Sequence, residues 1–428
     1  MTTASESEIL SPSGRPGGKP TRQSLAFLLA GEGISYAGSS VHGVALPALA
    51  VLRLGATPGQ VALLAFAATV PALLVSLPAG AMLDRYPLRA VLVTTDLVAA
   101  AVVVMIPAAA ILDVLTMPLL YSIALVVGSL SVLHTAASMA SLPLLAPPGR
   151  LHRTNAHFTA VITIAGVTGS ALGTVLVAMA GGPAQALVAD AVSYVVSACC
   201  AVRVRALPAP GRTARRPMLD EIREGLLHCT RDRLLRPLLL VLTATGIGSG
   251  LTATLLSYHL LTTVRVGTSG LGLIMAASSL GGLTGALTAP RLVRRYGSGP
   301  VLAVGFTMYA LIQIPPLVAA PGPAWFGVLL VGGYGQFAAG TCVGTTQRSV
   351  QVWSSPPELR AHVQQTALWL INGSQPLAAL AAGALATLTS VRAVMLTGVL
   401  VLLLSAGTLW RSPLRRLAAK DEEALSCH

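Results

Sequence analysis

Long apolar runs constrain the fold of this chain more than any other feature of its sequence. They follow one another from residue 24 to residue 410, separated by short polar connections. The hydrocarbon core of a bilayer is about 30 Å thick, so a helix needs roughly 20 mostly apolar residues to cross it. We count twelve runs of that kind, with spans of 24–52, 59–82, 88–112, 117–141, 155–180, 183–204, 236–263, 268–290, 299–319, 324–347, 361–387 and 391–410.

The composition supports a membrane protein. Hydrophobic residues make up 54% of the 428 residues and charged residues only 10%, whereas about a quarter of the residues of a soluble protein are charged. The runs are long and rich in Leu, Ala, Val and Gly, which favours helices over the short alternating strands of a barrel. The predicted fold class is therefore an all-α membrane protein with 12 transmembrane helices.

The net charge of +13 is distributed unevenly along the chain. With twelve helices, almost all basic residues fall on one side of the membrane, and only Arg53, Arg265 and Arg392 fall on the other. The positive-inside rule then predicts a multi-pass protein of the cytoplasmic membrane with both termini in the cytoplasm. Because topology accounts for the basic excess, we expect the lipid bilayer as a partner and no nucleic acid.

Polar segments divide the chain into five parts. The first residues are rich in Ser, Gly and Pro and predict a disordered tail. The longest polar stretch lies near the middle, and its spacing of Leu219, Ile222 and Leu226 predicts an amphipathic helix on the cytoplasmic surface. The predicted parts are a tail at 1–21, a six-helix bundle at 22–204, the linker at 205–235, a second six-helix bundle at 236–411 and a tail at 412–428.

The two predicted bundles share short identities at a constant offset of 210 residues. Arg85-Tyr86 matches Arg295-Tyr296, and Val91-Leu92 matches Val301-Leu302. The matches lie in equivalent loops and helices, which favours duplication. Parallel halves related by an axis along the membrane normal occur in transporters built from internal repeats. We therefore expect two pseudo-symmetric bundles.

The loop after the second predicted helix carries a motif. The segment from Gly80 to Arg89 resembles the major facilitator signature Gly-x-Leu-x-Asp-Arg-x-Gly-Arg-Arg, with Pro87 and Leu88 where Gly and Arg are usual. A similar segment occupies the equivalent place in the second half. The resemblance implies the major facilitator fold and a cytoplasmic gate formed by Gly80, Asp84, Arg85, Arg89, Arg291 and Arg295.

A closer resemblance is to the twelve-helix drug:proton antiporter branch that includes macrolide exporters and the enterobactin exporter. It is carried by Val44-Ala45-Leu46-Pro47, by Asp96 and by Asp190-Ala191-Val192-Ser193-Tyr194. The branch signature Gly-Pro-x-x-Gly-Gly in helix five reads here Gly169-Ser-Ala-Leu-Gly173-Thr, without the proline and the last glycine. The resemblance implies proton-coupled efflux, and the departure keeps a uniporter or importer open.

Two local patterns have more than one interpretation. Gly166, Gly169 and Gly173 share one helix face, which predicts close helix packing, with a gating hinge as the alternative. Asp84 can accept hydrogen bonds from helix N-termini and pair with basic side chains, and these contacts would form or break as the two bundles rock relative to each other. The alternative for Arg85 and Arg89 is an anchor at the interface that only sets topology.

Ionisable residues inside the membrane are candidate ion or substrate sites, because a charge at the bilayer centre costs roughly 2.5 to 3.5 kcal/mol. Glu32 is the best candidate for proton exchange. At 100° per residue it shares a polar stripe with Tyr36 and His42, which predicts that the stripe faces a water-filled cavity. A single hydrogen-bonded carboxyl is the alternative for Glu32.

The remaining polar candidates lie in other helices. Asp96 is expected either to exchange protons or to pair with a loop arginine, and Asp190 either to exchange protons or to tie helices together. His42, His134 and His259 are isolated in the sequence, so no metal site is expected, and each is interpreted as a histidine that is satisfied by a hydrogen bond. Neutral groups that can orient a substrate are provided in the second half by Gln336, Gln347, Asn372 and Gln375.

No motif indicates an enzyme or a cofactor. The sequence has no phosphate-binding Gly-x-x-x-x-Gly-Lys-Ser/Thr loop, no Gly-x-Ser-x-Gly and no His-Glu-x-x-His. An ion gradient suffices as an energy source, since one charge moved through 100 mV yields about 2.3 kcal/mol. We therefore expect a monomeric secondary transporter that exports a small amphipathic molecule in exchange for protons. A uniporter, an importer or a non-transporting sensor with the same fold remain alternatives.

Overall fold

The computed structural model describes most of the chain. The described residues are 22–75, 79, 82–83, 85–147, 150–179, 182–204, 226–227, 229–232, 235–355 and 360–416. Four sequence predictions fall outside them: the tail at 1–21, most of the amphipathic linker helix, most of the tail at 412–428, and the gate residues Gly80 and Asp84.

Within the described ranges, twelve helices of fourteen residues or more follow the order of the twelve apolar runs. Ten segments are long and apolar enough to cross a membrane; one of these, Ser298–Val318, runs through two consecutive helices, and Pro58–Leu74 is apolar but shorter. The helices are α1 Arg22–Ala48, α2 Pro58–Leu74, α3 Leu88–Ile111, α4 Met117–Leu145, α5 Leu151–Met179, α6 Pro183–Arg203, α7 Leu235–His259, α8 Gly267–Tyr296, α9 Ser298–Leu311, α10 Pro323–Trp353, α11 Arg360–Leu388 and α12 Val391–Arg411.

One predicted span is interrupted. The run at 299–319 forms α9, which ends at Leu311, and a short helix, Ile314–Val318. Proline lacks the backbone N–H that a helix interior requires, but it fits the first turn of a new helix. Pro315 and Pro316 occupy that first turn, so the chain turns at Ile312 and Gln313. This break places Gln313 beside the cavity described below.

The helices pack as two six-helix bundles with the same pattern of neighbours. In the first bundle α1 packs on α5 and α6, α3 packs on α4 and α6, and α2 packs on α4. In the second bundle the corresponding helices, each six positions later, pack in the same pairs: α7 with α11 and α12, α9 with α10 and α12, and α8 with α10. The predicted pair of pseudo-symmetric bundles is confirmed.

The bundles meet along two helix pairs that the pseudo-symmetry also relates. These pairs are α5 with α8 and α2 with α11. The approach is close: a β-carbon on Gly383 of α11 would lie 2.6 Å from the β-carbon of Ala62 on α2, and one on Gly272 of α8 would overlap the Thr174 side chain of α5. Each bundle thus contributes one inner helix to each seam.

The hydrophobic cores differ at the two ends of the molecule. The arginine-rich end is where α2 leads into α3 and α8 into α9, and it carries Arg85, Arg89, Arg294 and Arg295. There each bundle has its own core, one around Leu92 of α3 and one around Leu302 of α9. At the opposite end a single core joins the bundles; it contains Leu49 and Val61 from the first and Leu260 and Leu271 from the second.

Candidate functional site

A cavity of about 710 Å³ lies between the two bundles. Helices α1, α2 and α5 of the first bundle line one side, and α7, α8, α9, α10 and α11 of the second bundle line the rest, together with the short helix after α9. Cavities of about 300 to 1,000 Å³ are typical of small-molecule sites in proteins. The second bundle provides most of the lining.

The cavity lining is largely apolar, and its polar groups are uncharged. Among the described residues that line it there is no Asp, Glu, Lys, Arg or His. Nine serine and threonine hydroxyls contribute polarity. Aromatic surface comes from Tyr36, Tyr309 and Phe337, and amide groups come from Gln313, Gln336 and Gln375.

Several cavity hydroxyls already donate their protons to the helix backbone. Ser170 donates to the carbonyl of Gly166 at 2.8 Å, and Ser278 donates to the carbonyl of Ile274 at 2.8 Å. Thr254 donates to the carbonyl of Gly250 at 2.6 Å. A hydroxyl has one proton and two lone pairs, so these groups retain acceptor capacity. Such back-bonding also explains how these hydroxyls are accommodated within helices.

Three ionisable side chains meet inside the first bundle, beside the cavity. His134 of α4 lies between Glu32 of α1 and Asp96 of α3, with Nε2 3.0 Å from Glu32 Oε1 and Nδ1 3.1 Å from Asp96 Oδ1. Both ring nitrogens therefore face carboxylate oxygens, and a doubly protonated imidazolium can donate to both. Asp96 pairs with this histidine rather than with a loop arginine.

This cluster is well buried. Asp96 is 1% exposed and Glu32 is 9% exposed. The second carboxylate oxygen of Asp96 has no hydrogen-bond partner among the described residues. A buried ionised oxygen without a partner is costly. With His134 as an imidazolium and both carboxylates ionised, the cluster would carry a net charge of −1.

The cluster and the cavity are adjacent. A smaller cavity of about 70 Å³ is lined by Glu32, Asp96 and His134. Tyr36 and Ser39 line both this space and the large cavity. Helix α1 thus carries the cluster's Glu32 and, one to two turns later, side chains that face the large cavity.

A second histidine–carboxylate pair ties α1 to α6. His42 Nδ1 lies 2.8 Å from Asp190 Oδ2, and the Asp190 side chain is fully buried. Nearby, the hydroxyls of Ser39 and Tyr194 are 3.2 Å apart. Gly38 permits this approach, because a β-carbon there would lie 2.6 Å from the β-carbon of Ser193.

The structure divides the predicted polar stripe of α1. Tyr36 lines the large cavity, Glu32 lines the smaller one, and His42 is engaged with Asp190. The three histidines, which are isolated from one another in the sequence, each have a partner in the fold: His42 and His134 pair with carboxylates, and His259 Nε2 contacts the carbonyl of Pro316 at 3.0 Å. These partners are distant in sequence, so only the tertiary fold brings them together.

Of the four neutral polar side chains predicted in the second half, two line the large cavity and two do not. Gln336 and Gln375 line the large cavity. Gln347 is buried elsewhere, and Asn372 is exposed and does not belong to the described lining. Sequence reasoning missed Gln313, which lines the cavity; the adjacent Pro315-Pro316 pair could have indicated that the chain turns there.

The glycines of α5 pack against α1. A β-carbon on Gly169 would lie 2.7 Å from the Cα of Ala37, and one on Gly173 would lie 3.0 Å from the Cα of Val41. Gly166 faces the ring of Tyr36. The contacts provide a packing reason for all three glycines.

The described gate residues lie at the arginine-rich end. Arg85 is exposed and Arg89 is half-buried at the start of α3. In the second half, the Arg291 guanidinium donates to the carbonyl of Leu287 at 3.1 Å, and that of Arg295 lies 5.3 Å from the ring centre of Tyr296.

Among the residues that the structure describes, no group of three or more His, Cys, Asp or Glu side chains is arranged to hold a metal ion.

Comparison with known proteins gives a matching family and several similar proteins. The family model described as "Transmembrane secretion effector" matches residues 20–428, nearly the whole chain. The chain is similar to the multidrug efflux pump Tap of Mycolicibacterium fortuitum, with 27% identity over 69% of this chain and 75% of that protein. It is equally similar to Tap of Mycobacterium tuberculosis, with 27% identity over 66% of this chain and 70% of that protein.

Solved structures share the fold at low sequence identity. The nucleoside transporter NupG matches with a TM-score of 0.71 and 13% identity, over 95% of this chain and 100% of that one. A bacterial homologue of the iron transporter ferroportin in its inward-facing state matches with a TM-score of 0.70 and 16% identity, over 91% of this chain and 98% of that one. The Tap relatives and these solved structures are all transporters.

Proposed function

The chain belongs to the transmembrane secretion effector family of major facilitator transporters, and we propose that it exports a small amphipathic organic molecule in exchange for protons. The central cavity binds the substrate, and the Glu32–His134–Asp96 cluster binds the proton. The relationship to multidrug efflux pumps supports export. We assign no catalytic reaction to the chain and propose that a monomer suffices.

The observation that carries this proposal is the buried cluster next to the cavity. Its net charge changes by one when a proton binds, and a buried net charge is costly in the membrane interior. A bound proton shifts a conformational equilibrium only if the two conformations bind it with different affinity. Since Glu32 and the cavity-lining Tyr36 both belong to α1, a movement of α1 would alter the proton site and the substrate site together.

The arrangement of the cores supports alternating access. The bundles share one core at one end and keep separate cores at the arginine-rich end. This is the pattern expected for a transporter that opens toward the arginine-rich end. The positive-inside rule supports a cytoplasmic location of that end, with both termini in the cytoplasm and the protein in the cytoplasmic membrane.

The arginines of the gate then lie where the bundles must close during the cycle. Asp84, with Arg85 and Arg89, would pair across this end in the alternate conformation, and Arg291 and Arg295 would act equivalently in the second bundle. Such charge-assisted contacts can form in one conformation and break in the other. This part of the proposal rests on the signature resemblance and on the position of the described arginines.

The experiment uses everted membrane vesicles with an imposed pH gradient, acid inside, and a panel of amphipathic compounds of different charge. We expect gradient-driven accumulation by the wild type and its loss in Glu32→Gln. Asp113→Asn is the matched control, because Asp113 is a highly exposed carboxylate at the opposite end. Accumulation that persists in Glu32→Gln contradicts the proton site. Equilibration that ignores the gradient identifies a uniporter, and no flux of any compound supports a sensor.

A further inference from the structure

We infer that the substrate of the central cavity is uncharged, and that one of its oxygens accepts a hydrogen bond from the side-chain amide of Gln313. The inference rests on the proposed function, because it names the substrate class of the same cavity.

The surroundings of the cavity offer no counterion to a charged substrate. The described lining of the cavity contains no side chain that is charged at neutral pH. The nearest buried carboxylates, Glu32, Asp96 and Asp190, each already face a histidine. A charged substrate would leave water without gaining a counterion, and burying an unpaired charge is strongly unfavourable.

Gln313 provides a buried hydrogen-bond donor at the cavity. It is 4% exposed, it lines the cavity at the break after α9, and its amide nitrogen Nε2 has no hydrogen-bond partner among the described residues. Leaving a buried donor unsatisfied costs about 1 to 3 kcal/mol. The Nε2 atom is itself closed off in this conformation, so the Gln313 side chain must turn toward the cavity before a substrate carbonyl, ether or hydroxyl oxygen can satisfy this donor and recover that cost.

The surroundings of Gln313 suit a neutral amphipathic molecule. Tyr309, Gln336 and Ser249 add uncharged polar groups to the lining of the same cavity. The aromatic side chains Tyr36 and Phe337 expose apolar surface, and several hydroxyls offer lone pairs after donating to the backbone. Uncharged acceptors of this kind match O–H and N–H donors on a substrate.

The test is direct binding to purified protein in detergent at fixed pH. Three probes of similar size differ in charge: triphenylphosphine oxide is neutral with a strong acceptor oxygen, methyltriphenylphosphonium is a cation, and triphenylacetate is an anion. We expect saturable binding of the oxide, with a Kd at least about tenfold lower than that of either ion. Tighter or equal binding of an ion overturns the inference, and so does the absence of saturable oxide binding.

A pair of variants tests the hydrogen bond. Gln313→Leu removes the amide donor and should weaken oxide binding about tenfold, the equivalent of about 1.4 kcal/mol for one lost hydrogen bond. Gln351→Leu is the matched control, because Gln351 is also buried with an unpartnered Nε2 but lies outside the described lining. Unchanged binding in Gln313→Leu overturns the role of Gln313. If that variant does not fold, Gln313→Asn replaces it. The shorter side chain keeps the amide but draws it back from the substrate oxygen, so oxide binding should again weaken.

Failure of this inference can be distinguished from failure of the proposed function. Binding is measured without a gradient and so does not depend on proton coupling. Ion-selective binding combined with gradient-driven transport would overturn the substrate class alone. Retained oxide binding combined with transport that ignores the gradient would overturn proton coupling alone.

Discussion

His134 connects three helices of the first bundle through its side chain. Its ring nitrogens lie within 3.1 Å of Glu32 on α1 and Asp96 on α3, and Thr95 Oγ1 lies 3.3 Å from Nδ1. In the proposed mechanism, the histidine holds the two carboxyls in place and provides a positive charge between them. It is a positioning residue as well as a member of the proton site.

Replacement of His134 by leucine should strongly destabilise the protein. The variant leaves two buried carboxyls without their cation, a change that typically costs about 3 to 5 kcal/mol when the remaining charges stay ionised. Thermal unfolding of wild type and His134→Leu in detergent measures this loss.

His259→Leu provides the control for that measurement. His259 is also buried, but its contact is with the carbonyl of Pro316. His259→Leu should therefore destabilise the protein less than His134→Leu does. Equal destabilisation by the two substitutions would show that the carboxyls do not depend on His134 for charge compensation.

The sequence predicted part of this site. Glu32, Asp96 and Asp190 could be identified because carboxyls are rare in apolar helices. Their partners could not, because His134 is 102 residues from Glu32 and His42 is 148 residues from Asp190. Such pairs depend on which helix faces turn toward each other, and a single sequence does not specify that. The same rarity rule, applied to histidine, would have singled out His134.

At the scale of helices, the approach of α5 to α1 depends on glycine. Gly169→Ala should destabilise the protein by about 1 to 3 kcal/mol, the usual cost of overpacking a tight contact. The new β-carbon would lie 2.8 Å from the Ala37 carbonyl carbon. Gly344→Ala is the control, because nothing lies within 4 Å of a β-carbon at Gly344 in α10. Comparable thermal unfolding of the two variants would contradict the packing role.

The end of the linker before α7 allows a chemical test. Cys229 is fully buried in the core of the second bundle with Leu235 and Leu238. Burial, and to a lesser extent nearby Asp232, raises the pKa of the Cys229 thiol from 9.0 to about 11. Because only the thiolate reacts, iodoacetamide should label this cysteine about a hundredfold more slowly near neutral pH than an ordinary one.

The labelling experiment uses a variant in which Cys229 is the sole cysteine. Its rate should rise with pH, since a raised pKa keeps the thiol protonated until the pH approaches that value. Moving the cysteine to the exposed neighbour, with Cys229→Ser and Thr230→Cys, provides the control. Equal rates at the two positions would show that this part of the linker does not dock on the second bundle.

Helix boundaries were predictable where they follow the apolar runs and not where local chemistry intervenes. The run at 299–319 is continuously apolar enough to suggest one helix, yet the adjacent Pro315 and Pro316 start a new helical turn. The length of an apolar run indicates whether a segment can cross a membrane. A helix break depends instead on proline, which has no backbone N–H to donate. The break positions Gln313, so the missed boundary also meant a missed site residue.

The whole molecule combines symmetric packing with an unequal distribution of chemistry. Both bundles use the same helix pairs. The buried carboxylates among the described residues, Glu32, Asp96 and Asp190, all belong to the first bundle, while the second provides most of the neutral cavity lining. The sequence predicted the two-bundle fold because apolar runs and charge asymmetry determine topology. It did not reveal this division, because the cavity face of each helix is set by tertiary packing.

A neutral substrate exchanged for a proton would carry net charge across the membrane. Transport should then respond to membrane potential as well as to the pH gradient, with about 2.3 kcal/mol available per 100 mV for each proton. In proteoliposomes without a pH gradient, a valinomycin-induced potassium potential should drive accumulation of triphenylphosphine oxide and reverse it when the potential is reversed. Transport that is indifferent to the potential would indicate an electroneutral cycle.

The most direct test of the central claim separates substrate movement from proton coupling in Glu32→Gln. Proteoliposomes are assayed both for counterflow, in which external labelled substrate exchanges with unlabelled internal substrate, and for accumulation driven by a pH gradient. The account predicts that Glu32→Gln retains counterflow and loses gradient-driven accumulation, while Asp113→Asn retains both. Gradient-driven accumulation at the wild-type level in Glu32→Gln would contradict it.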